Sequence, residues 1–128
     1  LCFIDFEKAV ASGKFDFVCF IGHNALMDFE ADPAVKADSK TKVAVLCCLS
    51  DSYFSGRIRT MGGEPVLMTR SLMYPGSYIL HDVLEQWFKG KTKKQLRAAA
   101  GKAYLKNQKK VNKRLTLKGA TNVFSVLK

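Results

Sequence analysis

The chain has 128 residues, 48% apolar and 25% charged, a balance that fits one globular domain and lies far from the disordered range. No apolar stretch approaches the ~20 residues that a membrane-spanning helix needs. The net charge of +10 is uneven: residues 1–88 hold all 11 acidic side chains against 8 Lys/Arg, whereas residues 89–128 hold 13 Lys/Arg and no acid.

Leu1 in place of Met, followed almost at once by a structured segment, reads as a piece of a longer protein. Phe3-Ile4-Asp5-Phe6-Glu7-Lys8-Ala9-Val10 has helical spacing, predicting a helix over 3–12 closed by Gly13. Phe15-Asp16-Phe17-Val18-Cys19-Phe20-Ile21 predicts a buried strand that stops at Gly22-His23-Asn24. Residues 24–41 form a polar loop with a short helical turn. A second strand over 43–49 begins Val43-Ala44-Val45-Leu46 and runs into Cys47-Cys48-Leu49-Ser50. Asp51 or Ser52 caps a helix over 53–61, which ends at Gly62-Gly63.

Glu64-Pro65-Val66-Leu67-Met68-Thr69 predicts a third strand, with Pro65 tolerated near its start. A loop from Arg70 to Gly76 follows, marked by Tyr74-Pro75-Gly76. Ser77 opens an amphipathic helix through Ile79, Val83, Leu84 and Trp87 that Gly90 stops, and Thr92 caps a second through Leu96, Ala100 and Tyr104. Two short strands, Arg114–Leu117 and Asn122–Leu127, are predicted in the tail, separated by Gly119. Alternation of strand and helix predicts a three-layer α/β/α sandwich with a mainly parallel sheet. It is one domain over residues 1–128, to which the basic helix and tail 92–128 belong.

Cys2, Cys19, Cys47 and Cys48 do not form a disulfide framework by their placement, and with only His23 and His81 beside them they match no zinc spacing. A reduced, cytoplasmic compartment fits this usage, and neither a metal nor a cofactor is expected.

Two strands that each end on a chemically capable residue focus the functional question. The carboxyl ends of parallel strands form the crevice where α/β proteins bind ligands, so His23 and Cys48 on consecutive strands become neighbours. A thiol beside an imidazole is the minimum for a cysteine nucleophile. Peptide N–H groups around Gly22, His23 and Asn24, and at Cys48, are candidate donors to a developing oxyanion. The competing interpretation is a small buried Cys and an ordinary loop His.

At these residues the chain resembles the caspase-like cysteine peptidases, the clan of caspases, legumains, separases and gingipains. Apolar block then Gly22-His23, and apolar block then Cys47-Cys48, match that fold's third and fourth strands. Ile21-Gly22-His23-Asn24-Ala25-Leu26-Met27-Asp28-Phe29 with Cys48-Leu49-Ser50-Asp51-Ser52-Tyr53-Phe54 is similar to a bacterial group of such domains. The resemblance spans roughly residues 15–110. It implies a catalytic His23/Cys48 dyad, a peptide or protein substrate, and a substrate side formed by Ser50, Asp51, Thr69, Arg70 and Ser71. Arg70 would then favour an acidic side chain before the scissile bond, the alternative being that it pairs with Asp51 or is solvated. The clan carries Gly where this chain has Asn24, and its first two strands have no counterpart here.

A second class of function also fits: a catalytically silent interaction domain. Lys93, Lys94, Arg97, Lys102, Lys106, Lys109, Lys110, Lys113 and Arg114 offer salt-sensitive binding to nucleic acid or an acidic partner. Tyr104 stands alone as an aromatic there, so base stacking has no platform.

Overall fold

The computed structural model describes residues 2–128. Helix α1 (Cys2–Ser12) precedes strand β1 (Phe17–Ile21), and a 3-10 turn (Ala25–Met27) lies in the long loop before strand β2 (Lys42–Leu46). Helix α2 (Ser50–Thr60), strand β3 (Glu64–Leu67), and helices α3 (Ser77–Phe88), α4 (Lys93–Gln108) and α5 (Leu117–Thr121) complete the order. The three strands form one parallel sheet in the order β1-β2-β3. The protein is therefore α/β.

Strand periodicity sets the layers. Successive side chains of a strand point to opposite faces, and β2 divides accordingly. Val43, Val45 and the following Cys47 pack with Phe3, Phe6 and Val10 of α1 and Phe54 and Ile58 of α2. Ala44 and Leu46 face the other way, toward Ile79 and Val83 of α3 and Leu96, Ala100 and Tyr104 of α4. Helices thus cover both faces, and β2, buried on both sides, reads as a continuous apolar run.

An aromatic cluster binds the first layer. Phe54 meets Phe3, Phe6 and Phe20 with ring centroids 6.0, 6.1 and 6.1 Å apart. Arg57 clamps α2 to α1 with a two-pronged bond, Nε donating to Glu7 Oε2 at 2.7 Å and the guanidinium's second arm to Oε1 at 2.8 Å. At the end of α2 the chain turns through Gly62, whose φ of +79° lies in the left-handed region. A Cβ there would stand 2.5 Å from Asp38 Cα and 2.6 Å from the Ser39 nitrogen. Gly62→Ala should therefore cost at least about 2 kcal/mol, since both the backbone angle and the space oppose it. The check is a lowered urea midpoint with an unchanged slope.

Two local expectations need correction. The start of α2 lies at Ser50, with Leu49 (φ 53°) before it and no side-chain cap from Asp51 or Ser52. Thr69 does the capping from a distance: its Oγ1 accepts from the Ser50 N–H at 3.0 Å, and its carbonyl accepts from Asp51 N–H at 2.9 Å. In the tail, Arg114–Leu117 is not a strand. Thr116 accepts from Gly119 N–H at 3.0 Å and starts α5 instead. Asn122–Leu127 is reduced to one antiparallel bridge between Phe124 and Thr69, flanked by Arg70 N–H to Val123 O at 2.9 Å and Ser125 N–H to Met68 O at 2.8 Å. By contrast, Thr92 caps α4 as predicted, accepting from Gln95 N–H while Gln95 reaches back to the Thr92 N–H at 2.9 Å.

Candidate functional site

The β1–β2 register sets the geometry of the candidate site. Ile21 pairs with Leu46, so the two strands end side by side, and Gly22 N–H donates to Leu46 O at 3.2 Å as the last rung. Beyond that rung the two strand ends are joined by one side chain. Asn24 is fully buried; its Nδ2 donates to Cys48 O at 2.7 Å and its Oδ1 accepts from Leu26 N–H at 3.0 Å. Asn24 thus fastens the His23 loop to the Cys48 turn while starting the 3-10 turn.

Cys48 is half-buried, one residue before the helix N-cap at Leu49. The start of α2 therefore lies beside this residue. In the resting arrangement the thiol is clasped by one peptide unit pair of the 70–76 loop: Sγ–H donates to Met73 O and Met73 N–H donates to Sγ, both at 3.3 Å. His23 extends into solvent, and its Nε2–H donates to Asp28 Oδ2 at 2.5 Å. No hydrogen bond joins His23 to Cys48 among the described residues.

Burial separates Cys48 from two of the other cysteines. Desolvation pushes the Cys19 thiol up to about 12, and the Cys47 thiol up to about 12 with a smaller contribution from neighbouring Cys48. Burial disfavours the charged form, so both remain neutral thiols throughout the physiological range. In native protein at pH 8 a thiol-titrating reagent should find Cys2 and Cys48 and leave Cys19 and Cys47 unmodified until denaturant is added. Peptide mapping of the modified thiols checks this.

The other predicted site residues belong to the framework. Gly22 N–H is already donated and is not an oxyanion donor. The N–H groups of His23, Asn24 and Cys48, in contrast, meet no protein acceptor among the described residues. Ser50 and Thr69 are fully buried and hold one another: Ser50 Oγ–H donates to Val45 O at 2.8 Å, Thr69 N–H donates to Ser50 Oγ at 2.9 Å, and Thr69 Oγ1–H donates to Cys47 O. No lone group is left for a substrate. Asp51 accepts from Ser55 Oγ at 2.6 Å, and the Ser71 carbonyl accepts from Leu49 N–H at 3.1 Å. Arg70 neither pairs with Asp51 nor reaches toward Cys48. It donates to Asn122, through Nε to the carbonyl at 2.9 Å and through its guanidinium to Oδ1 at 3.2 Å. Its resting partners lie in the tail, not at the Cys48 turn.

Three participants were not foreseen from sequence. Met73 and Asp28 touch the candidate dyad, and Asn24 acts through its side chain rather than its peptide. Asp28, five positions after His23, was legible only to a reader who knew that a 3-10 turn lay between them. His81 on α3 is exposed, and its hydrogen bond to Asp82 together with the Glu85 charge raises its pKa.

An apolar cleft of about 920 Å³ lies beside the free edge of β1, lined by Phe3, Ile4, Phe20, Phe29 and Val35, and it reaches His23 but not Cys48. Among the described residues, no group of three or more His, Cys, Asp or Glu is arranged to hold a metal. No helix among them is long and apolar enough to cross a membrane. No family model matches the chain, and neither a curated protein nor a solved structure is similar to it.

Proposed function

We propose that the chain is a caspase-like domain, a three-layer α/β/α sandwich that hydrolyses peptide bonds with Cys48 as nucleophile and His23 as proton carrier. The observation that carries the reading is the stapled pair of strand ends: the Asn24 side chain holds the His23 loop against the Cys48 carbonyl at 2.7 Å. Support also comes from the α2 N-terminus beside Cys48 and from the N–H groups of His23 and Cys48, which meet no protein acceptor among the described residues.

The reaction follows from these groups. Cys48 leaves the Met73 clasp by rotation about χ1, and its proton passes to His23 as Sγ bonds to the substrate carbonyl carbon. The carbonyl oxygen becomes negative and is met by the free peptide N–H groups. The C–N bond then breaks as His23 returns the proton to the departing amine. Water attacks the resulting thioester, giving up one proton through His23 to the leaving sulfur, and releases the carboxylic acid. Exposed side chains change rotamer within nanoseconds, and catalytic hydrogen bonds are often loose until substrate binds. The separate resting partners of His23 and Cys48 are compatible with such a mechanism.

Incubation with a library of proteome-derived peptides tests the activity. New termini that disappear in both Cys48→Ala and His23→Ala are expected. Cleavage that persists in either variant, or an uncut library, contradicts the reading.

A silent interaction domain is the second reading, favoured by one observation. Lys94, Lys102, Lys106, Lys110, Lys113 and Arg114 are exposed and make no ion pair among the described residues, whereas Lys93 is engaged with Glu64 at 3.5 Å. Such a surface binds polyanions by counterion release. Retention on immobilised nucleic acid that falls steeply with salt, and is lost when these six are replaced by Gln, would favour it.

A further inference from the structure

We infer that Asp28 is a positioning residue for His23, completing a Cys48–His23–Asp28 relay; this inference rests on the cysteine-hydrolase reading above. The loop is built to bring the carboxylate to the ring. Asn24 caps the 3-10 turn through Leu26 N–H, Met27 N–H donates to Asn24 O at 3.2 Å, and Asp28 N–H donates to Ala25 O at 3.0 Å. One turn therefore carries the chain from His23 back to Asp28, where Oδ2 takes the Nε2 proton at 2.5 Å. The same Asn24 fastens this turn to Cys48, so the carboxylate, the imidazole and the nucleophile's backbone form one connected unit.

The chemistry that follows is specific. A neutral imidazole has one N–H and one lone pair, and the partner of one nitrogen decides the role of the other. With Nε2–H committed to Asp28, the lone pair lies on Nδ1, which is the atom that takes the Cys48 proton. The carboxylate thereby fixes the ring's orientation for that transfer. Among the other ionisable groups of the adjoining cleft, Glu7 is occupied by Arg57. Cys2, Lys8, Glu30 and Asp32 line the cleft without a hydrogen bond to the His23 ring.

Side-chain exposures of 70% for His23 and 65% for Asp28 make this a screened surface pair with little weight in stability. Substitution at Asp28 therefore leaves the fold in place, and the test separates positioning from structure. Alkylation of Cys48 by a peptidyl chloromethyl ketone is followed by mass spectrometry of the Cys48 peptide in full-length protein. Asp28→Ala is expected to slow it by about tenfold, a fraction of the ~10²–10⁴ that a general base contributes. Asp28→Glu, which retains the carboxylate, is expected to restore most of the rate. In Cys48→Ala protein, imidazole 15N shifts should report the Nε2–H tautomer of His23, shifting toward a mixture on Asp28→Ala and returning with Asp28→Glu.

An alkylation rate that depends on His23 yet is unchanged or raised by Asp28→Ala overturns the Asp28 inference and leaves the hydrolase reading intact. An unchanged tautomer does the same. A rate indifferent to His23→Ala overturns both.

Discussion

Asn24→Ala is expected to destabilise the protein by about 2–4 kcal/mol and, if the proposed dyad operates, to remove the His23 dependence of Cys48 alkylation. The side chain is fully buried and uses both ends, donating to Cys48 O at 2.7 Å and accepting from Leu26 N–H at 3.0 Å. Its removal leaves two polar backbone groups without partners, and each such loss costs about 1–3 kcal/mol. The loop carrying His23 and Asp28 then loses the one side-chain hydrogen bond to the Cys48 turn found among the described residues. Asn24→Asp separates the two bonds. It keeps an acceptor for Leu26 but sets a carboxylate against the Cys48 carbonyl, so it should be at least as damaging as Ala. Urea denaturation together with the Cys48 alkylation rate measures both effects. A variant of native stability and native reactivity would show that the strand ends are held by something other than Asn24.

Phe54→Ala is expected to cost about 3–5 kcal/mol, the range for emptying a phenylalanine site in a packed core. Phe54 is fully buried where α1, α2 and β1 meet, in contact with the rings of Phe3, Phe6 and Phe20. α1 and β1 lose a shared partner on α2 at once, so the cavity has little freedom to collapse. For a domain with ~5–15 kcal/mol of total stability this is a large share, and the thermal midpoint should fall by about 10–20 °C. A fall of only a few degrees would mean that α1 is not an integral part of the first layer.

The alternation of apolar runs carried the architecture. β1 and β3 lie within two residues of the predicted strands and β2 within three, ending at Leu46 where Leu49 was predicted, because a buried parallel strand is a short β-branched run whatever surrounds it. α3 and α4 were legible because Ile79, Val83, Leu96, Ala100 and Tyr104 follow helical spacing into one cluster. The misses have a common origin in partners remote in sequence. Asp51 and Ser52 looked like caps, yet Thr69 supplies the acceptors for the first turn of α2 from across the fold. Arg114-Leu115-Thr116-Leu117 alternates like a strand, and a five-residue α5 is too short to show a helical period.

The same distinction runs through the candidate site. That the His23 loop and the Cys48 turn follow neighbouring strand ends was legible from consecutive parallel strands, and the Ile21–Leu46 register places those ends side by side. Which atoms they face is decided by Asp28 and Met73, and no spacing rule for nucleophiles anticipates either. Ser50, Thr69 and Arg70 occupy the predicted strand-end region, but hydrogen bonds within the framework consume their polar groups. Polarity at a strand end marks a site only when the polar atoms are left free.

The most direct test of the account is the location and rate of a single covalent adduct. Native protein treated with a substoichiometric peptidyl electrophile should carry the label on Cys48, with Cys2 labelled far more slowly although it is the more exposed thiol. His23→Ala should slow the Cys48 adduct by about a hundredfold, within the range of a lost general base. Equal labelling of Cys2 and Cys48, with a rate that His23→Ala leaves unchanged, would contradict the claim that these two strand ends form a catalytic pair.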